Sequence, residues 1–179
     1  MLTAKPIITS KTLADETTYV GIDPGVTGCI VSLRPHDVPR VYAIDTIEKL
    51  WTSVKHGLDI SPIRICVEKV GGFIGTRPGG GVHKNIASGH TMFKFGTNYG
   101  AILMAIEATG CSNVTTHVLP QQWHKKCGIR SKFSGESQTS YKNHIRDIAQ
   151  RIFSPETIHV KNADAFMLAH YCRLIHGVV

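Results

Sequence analysis

Apolar residues along this chain follow two alternating periods. Val20 and Ile22 flank Gly21, and Cys29-Ile30-Val31-Ser32-Leu33 is a second apolar, β-branched run, so two strands joined by the turn Pro24-Gly25-Val26-Thr27-Gly28 are predicted. Val41-Tyr42-Ala43-Ile44 supplies a third strand, and Ile47, Leu50, Trp51, Val54 and Leu58 then fall at helical spacing. Arg64-Ile65-Cys66-Val67 is a fourth strand, and Val114 to Leu119 a fifth, stopped by Pro120. Further helices are predicted from Phe95, Tyr99, Ile102, Leu103 and Ile106, from Tyr141, Ile145, Ile148 and Ile152, and from Met167, Leu168, Tyr171 and Ile175. Gly96 and Gly100 interrupt the first of these, which predicts close approach of its backbone to a strand or a second subunit. Strands and helices thus alternate as in an α/β domain. Residues 1 to 18 are polar and aperiodic and read as a loose arm, leaving 19 to 179 as one domain.

Three carboxylates interrupt this pattern in a consistent way. Asp23 ends the first strand, Glu68 ends the fourth, and Asp164 falls in the first turn of the last helix on its apolar face. A lone carboxylate in such a setting is costly, and Asp23 has a plain use in capping the turn through the Gly25 or Val26 N–H. If the three converge, their mutual repulsion must be met by raised pKa values or by a divalent cation. Oxygen ligands without a Cys or His cluster suit Mg²⁺, or Mn²⁺ as substitute, and two such ions support phosphodiester hydrolysis.

Charge points the same way. With 20 Lys and Arg against 13 Asp and Glu, the net charge is +7 and the pI about 9.3, which favours a polyanionic partner. Between Gly71 and Gly89 lies a glycine-rich stretch carrying Arg77, His83 and Lys84, read as a mobile basic loop, and a second basic loop runs through Arg130 and Lys132. The five cysteines form no CxxC pair and read as buried thiols in a reducing compartment, without disulfides or a zinc site; His170, Cys172 and His176 do not make a complete ligand set. No run approaches a membrane span and the start lacks a signal-peptide core, so a soluble intracellular protein is expected.

Five motifs in order, Gly21-Ile22-Asp23-Pro24-Gly25, Val67-Glu68-Lys69-Val70-Gly71, Met92-Phe93-Lys94-Phe95-Gly96 with Tyr99-Gly100, Pro120-Gln121-Gln122-Trp123, and Ala163-Asp164-Ala165 with Leu168-Ala169, resemble the RuvC-type Holliday junction resolvases, most closely the phage and plastid branch. The resemblance runs from about Tyr19 to Tyr171. It implies a ribonuclease H-like fold, a five-stranded mixed sheet flanked by helices, and a homodimer that cuts four-way DNA with two Mg²⁺ ions per active site. Asp23, Glu68 and Asp164 match the family's metal-binding acids, and Lys125 a basic position near the cut phosphate. Phe73 lies in the region that enters the junction centre, where its ring could stack on a base, with ordinary packing as the alternative. Arg77, Lys84, Lys94, Lys125, Lys126 and Lys132 are the expected DNA-contacting cations. A bacterial or phage-host cytoplasm is the implied setting, with an organelle as the alternative.

Two departures stand against the family pattern. Relatives carry a fourth acid or His three or four residues before the last Asp, where this chain has Lys161 and Val160; Asn162 and His159 are the candidates to assist three carboxylates, and Asn162 also suits a helix N-cap. The Arg77 to His90 stretch is longer than expected, so its junction contacts do not transfer. Two other functions compete: a junction-binding protein with an incomplete acid set, and an actin-like ATP-binding domain in which Thr27 would serve the phosphate turn.

Overall fold

The computed structural model describes residues 17–25, 27–44, 62–69 and 89–177. The helix expected over Ile47 to Leu58, the glycine-rich stretch with Phe73, Arg77 and Lys84, and most of the N-terminal arm lie outside the described residues.

The strands β1 (Thr18–Ile22), β2 (Cys29–Leu33), β3 (Arg40–Ala43), β4 (Ile63–Glu68) and β5 (Thr115–Val118) form one sheet in the order β3-β2-β1-β4-β5. The first strand begins at Thr18, already buried, one residue inside the segment read as an arm. β1 to β3 are antiparallel neighbours, as tight turns allow, whereas β1, β4 and β5 run parallel. Parallel pairing requires crossovers, and α1 (Gly89–Ala108) lies in the one between β4 and β5. The remaining helices are α2 (Pro120–Lys126), α3 (Gln138–Ile152) and α4 (Val160–His176). No helix among the described residues is long and apolar enough to cross a membrane.

Strand alternation divides the core between the two faces of the sheet. Val20, Ile22, Ile30, Ile63, Ile65 and Val67 pack with Ile102, Ala105 and Ile106 of α1. On the other face Tyr19, Cys29, Val31, Leu33, Cys66 and Val118 pack with α3 and α4. Every residue of α4 from Asn162 to Ala169 is buried, as befits a helix covered on more than one side.

The close backbone approach occurs at Gly21 rather than in α1. A Cβ on Gly21 would fall inside 3.0 Å of the Ala165 carbonyl and the Ala169 amide, so α4 lies directly on β1 there. At Gly96 and Gly100 a Cβ would meet nothing within 4 Å, which corrects the expectation that these glycines admit a strand. Both occupy exposed positions on α1, near exposed Phe93 and Met104.

Candidate metal centre

The position of α4 across Gly21 decides where the three acids meet. β1 and β4 are in parallel register, with Ile22 opposite Val67, so the next residue of each, Asp23 and Glu68, emerge side by side at the same sheet edge. Cys66 faces α4, and two-residue alternation puts Glu68 on that face as well. With Ala165 seated on Gly21, Asp164 is brought to the same edge. It is the fifth residue of α4, one turn further in than the sequence pattern suggests, because the helix starts at Val160. Mid-helix placement leaves its carboxylate out of reach of the free N–H groups of the first turn.

The acids feel one another. Burial, then the charge of Asp164, raises the Asp23 carboxyl above its usual range, while the Gly25 N–H and Lys142 oppose the rise. Burial, then Asp23 and Asp164, pushes Glu68 up to about 7. Lys142 and the Trp123 indole act in the opposite sense on Glu68; that indole N–H is fully buried and completes no hydrogen bond of ordinary geometry. Asp23 also performs its plain turn duty, since its Oδ1 accepts from the Gly25 N–H at 2.9 Å. Capping a turn and facing the acids are compatible because a carboxylate has two oxygens.

Lys142 of α3 was not singled out by sequence reasoning. Its ammonium pairs with Asp164 Oδ2, and although burial works to lower its pKa, Asp164, Asp23 and Glu68 together hold it above the ordinary value. A signal did exist: Lys142, Ile145 and Ala149 share one helical stripe, and the latter two are buried, so the lysine had to point inward. His124 is a second omission. Burial lowers its pKa against the pull of Asp164, and its Nδ1 lies 3.2 Å from the Tyr141 hydroxyl.

The other candidates are distributed differently. Asn162 is buried, and its Oδ1 accepts from the His159 N–H at 2.8 Å, closing the start of α4 from the N3 position. His159, not Asn162, is therefore the N-cap residue, and its side chain is exposed. Neither bonds any of the three acids among the described residues. Lys125 and Lys126 are exposed on α2, Lys94 is exposed on α1, and exposed Lys132 donates to Gln138 at 3.3 Å. Lys161 is exposed at the rim, where it opposes the rise of the Cys29 thiol, pushed up to about 12 by burial and by Asp23 and Asp164. Arg130 is committed to a two-pronged ion pair with Glu136, at 2.7 and 2.8 Å, and lies over the Phe133 ring.

The donor set fits a hard divalent cation. Asp164 Oδ1 is buried without a hydrogen-bond partner, and Asp23 and Glu68 carry raised pKa values that a cation would relieve. Among the described residues, the one set of three His, Cys, Asp or Glu ligand atoms lying within 4.8 Å of one another is elsewhere, at Cys66, Cys172 and His176. The carboxylates therefore border a space wider than one closed coordination shell.

Comparison with known proteins shows the fold. The chain is similar to the structure of T. thermophilus RuvC in complex with a Holliday junction substrate, at 16% identity and a TM-score of 0.54, over 90% of this chain and 97% of that one. The shared architecture is ribonuclease H-like, a mixed five-stranded sheet with flanking helices. No family model matches the sequence. No curated protein matches it.

Proposed function

We propose that this protein is a divalent-metal-dependent endonuclease that resolves four-way DNA junctions, acting as a homodimer with Asp23, Glu68 and Asp164 as the metal-binding acids. The observation that carries the reading is the meeting of these buried carboxyls at one sheet edge, with Asp164 Oδ1 left unpartnered. The likeness to a junction-bound RuvC supports it at the level of fold. Bound Mg²⁺ or Mn²⁺, two per site, would supply an activated water and charge stabilisation at the cut phosphate. The chain's own groups prepare that chemistry. Gly25 fixes one oxygen of Asp23, Lys142 steadies Asp164 and offsets one negative charge, and Trp123 closes the floor beneath Glu68. Exposed Lys94, Lys125, Lys126, Lys132 and Lys161 would meet phosphates, as would Arg77 and Lys84, and Phe73 would stack at the junction centre. The exposed side of α1, with Phe93, Met104, Gly96 and Gly100, is the proposed dimer surface.

A second reading has one observation in its favour. The Lys142 ammonium already occupies an oxygen of Asp164, and the position of the family's fourth acid is not acidic, as a junction-binding protein without cleavage would allow. The experiment is cleavage of a synthetic four-way junction in Mg²⁺, in Mn²⁺ and in EDTA, with binding and ATP hydrolysis measured on the same sample. Paired nicks that require the metal are expected. Tight, salt-sensitive junction binding with no nicks in either metal would establish the binding-only reading, and ATP turnover would establish the actin-like one. Equal affinity for junction and linear duplex under competition would defeat both junction readings.

A further inference from the structure

Cys66, Cys172 and His176 gather on the same sheet face as the acids but further along α4. Their two sulfurs and one imidazole nitrogen all lie within 4.8 Å of one another. Cys66 comes from the middle of β4, and Cys172 and His176 stand four residues apart on α4, one helical turn, which places both side chains over the strand. The two cysteines are fully buried, while His176 is exposed and leaves a route in from solvent. Thr116, level with Cys66 in the β4–β5 register, brings its hydroxyl to 3.4 Å from His176 Nε2.

We propose that Cys66, Cys172 and His176 form a thiolate–imidazole site for one Zn²⁺ ion. Around tetrahedral zinc, sulfur at about 2.3 Å and nitrogen at about 2.0 Å place the donors roughly 3.5 Å apart, so modest side-chain rotation closes the set. The ligands are soft and suit zinc, unlike the hard oxygens of the acid pocket. On binding, both thiols lose their protons to solvent, and the two thiolates balance the ion's charge. The fourth position falls on the open side, where a water can be held by the Thr116 hydroxyl. Spacing along the chain gives no zinc signature here because the ligands come from two distant elements. The ion would tie β4 to α4, the strand and helix that carry Glu68 and Asp164, and so fix the separation of those acids.

Because the site rests on its own geometry, its test uses metal binding by the full-length protein without DNA. Reduced, chelator-stripped protein is titrated with Zn²⁺ against a chromogenic chelator and, separately, with Co²⁺, followed by thermal unfolding. One equivalent of tightly held Zn²⁺, a sulfur-to-Co²⁺ charge-transfer band and a raised unfolding temperature are expected. Cys172→Ser should remove most of the charge-transfer band, and His176→Ala should weaken Zn²⁺ binding by about a hundredfold or more. His176 is exposed, so its variant carries the test even if Cys172→Ser fails to fold. Absence of stoichiometric Zn²⁺ in folded protein, a Co²⁺ spectrum without the sulfur band, or unchanged affinity in His176→Ala would overturn the proposal. Formation of a Cys66–Cys172 disulfide together with no Zn²⁺ uptake in the reduced protein would overturn it as well. None of these outcomes depends on junction cleavage, so the zinc site and the nuclease reading fail separately.

Discussion

The acid pocket and the thiol pocket are built by the same two elements, and they differ in everything that follows from where along those elements they sit. Glu68 is the last residue of β4 and Cys66 lies two residues earlier on the same face. At the strand end the packing opens and a carboxylate can persist, at the cost of a raised pKa. In the strand interior only a small, weakly polar group such as a thiol survives full burial. α4 repeats the contrast, with Asp164 near its start and Cys172 in its last turns. A two-residue step along one strand therefore separates hard-ligand from soft-ligand chemistry.

The sharpest way to separate the pockets is to neutralise the acids. Asp23→Asn, Glu68→Gln or Asp164→Asn should lower cleavage by about a thousandfold or more, since metal-borne charge stabilisation is worth several kcal/mol. Junction binding should persist, because removing an acid does not weaken attraction for phosphate, and Zn²⁺ uptake at the thiols should be unaffected. A variant that cleaves normally on a strand-nicking gel would remove that acid from the site.

Gly21→Ala should strike both pockets together. The added methyl meets the α4 backbone itself, so the helix must lift from β1, costing about 3 kcal/mol or more. Urea denaturation measures the loss. If the variant is as stable as the parent, the packing of α4 on β1 is not what holds the acids in place.

pH distinguishes the pockets next. Glu68 is held at about 7 in the folded chain against an ordinary 4.5, so the folded state binds a proton that the unfolded state has already lost. Metal-free stability should therefore fall as pH rises from about 4.5 to about 7, by roughly 2 kcal/mol once partial solvent screening is allowed for, and level off above. Asp23, raised in the same direction, adds to the fall. Mg²⁺ or Mn²⁺ should restore more stability at pH about 8 than at pH about 5, read by thermal unfolding. A metal-free stability that climbs through this range would contradict the assigned burial.

The smallest expected effect is at Asn162. Asn162→Ala removes the acceptor for the His159 N–H and should cost about 1 kcal/mol, with cleavage retained in the folded protein. Loss of cleavage at unchanged stability would instead make Asn162 a metal ligand.

The sheet and most of its helices were legible because apolar periodicity is local. The fourth strand is an example, read correctly from Arg64 to Val67 and closing on Glu68. Lys142 was harder to see. Its stripe on α3 gave the direction in which it points, but only the docking of α3 against α4 identifies Asp164 as its partner. Gly21 and Gly96 show the same limit, since both lack a side chain and only one is pressed by a neighbouring backbone.

By itself the sequence determined the strands and helices, the positive balance of charge and the placement of each acid at an element boundary, because these depend on neighbouring residues and on composition. The tertiary structure alone decided that α4 crosses β1 at Gly21, that Lys142 reaches Asp164, and that Cys66 finds Cys172 and His176. Those are contacts between elements far apart in the chain, set by how ridges and backbones fit together, and no local period encodes which surfaces will meet.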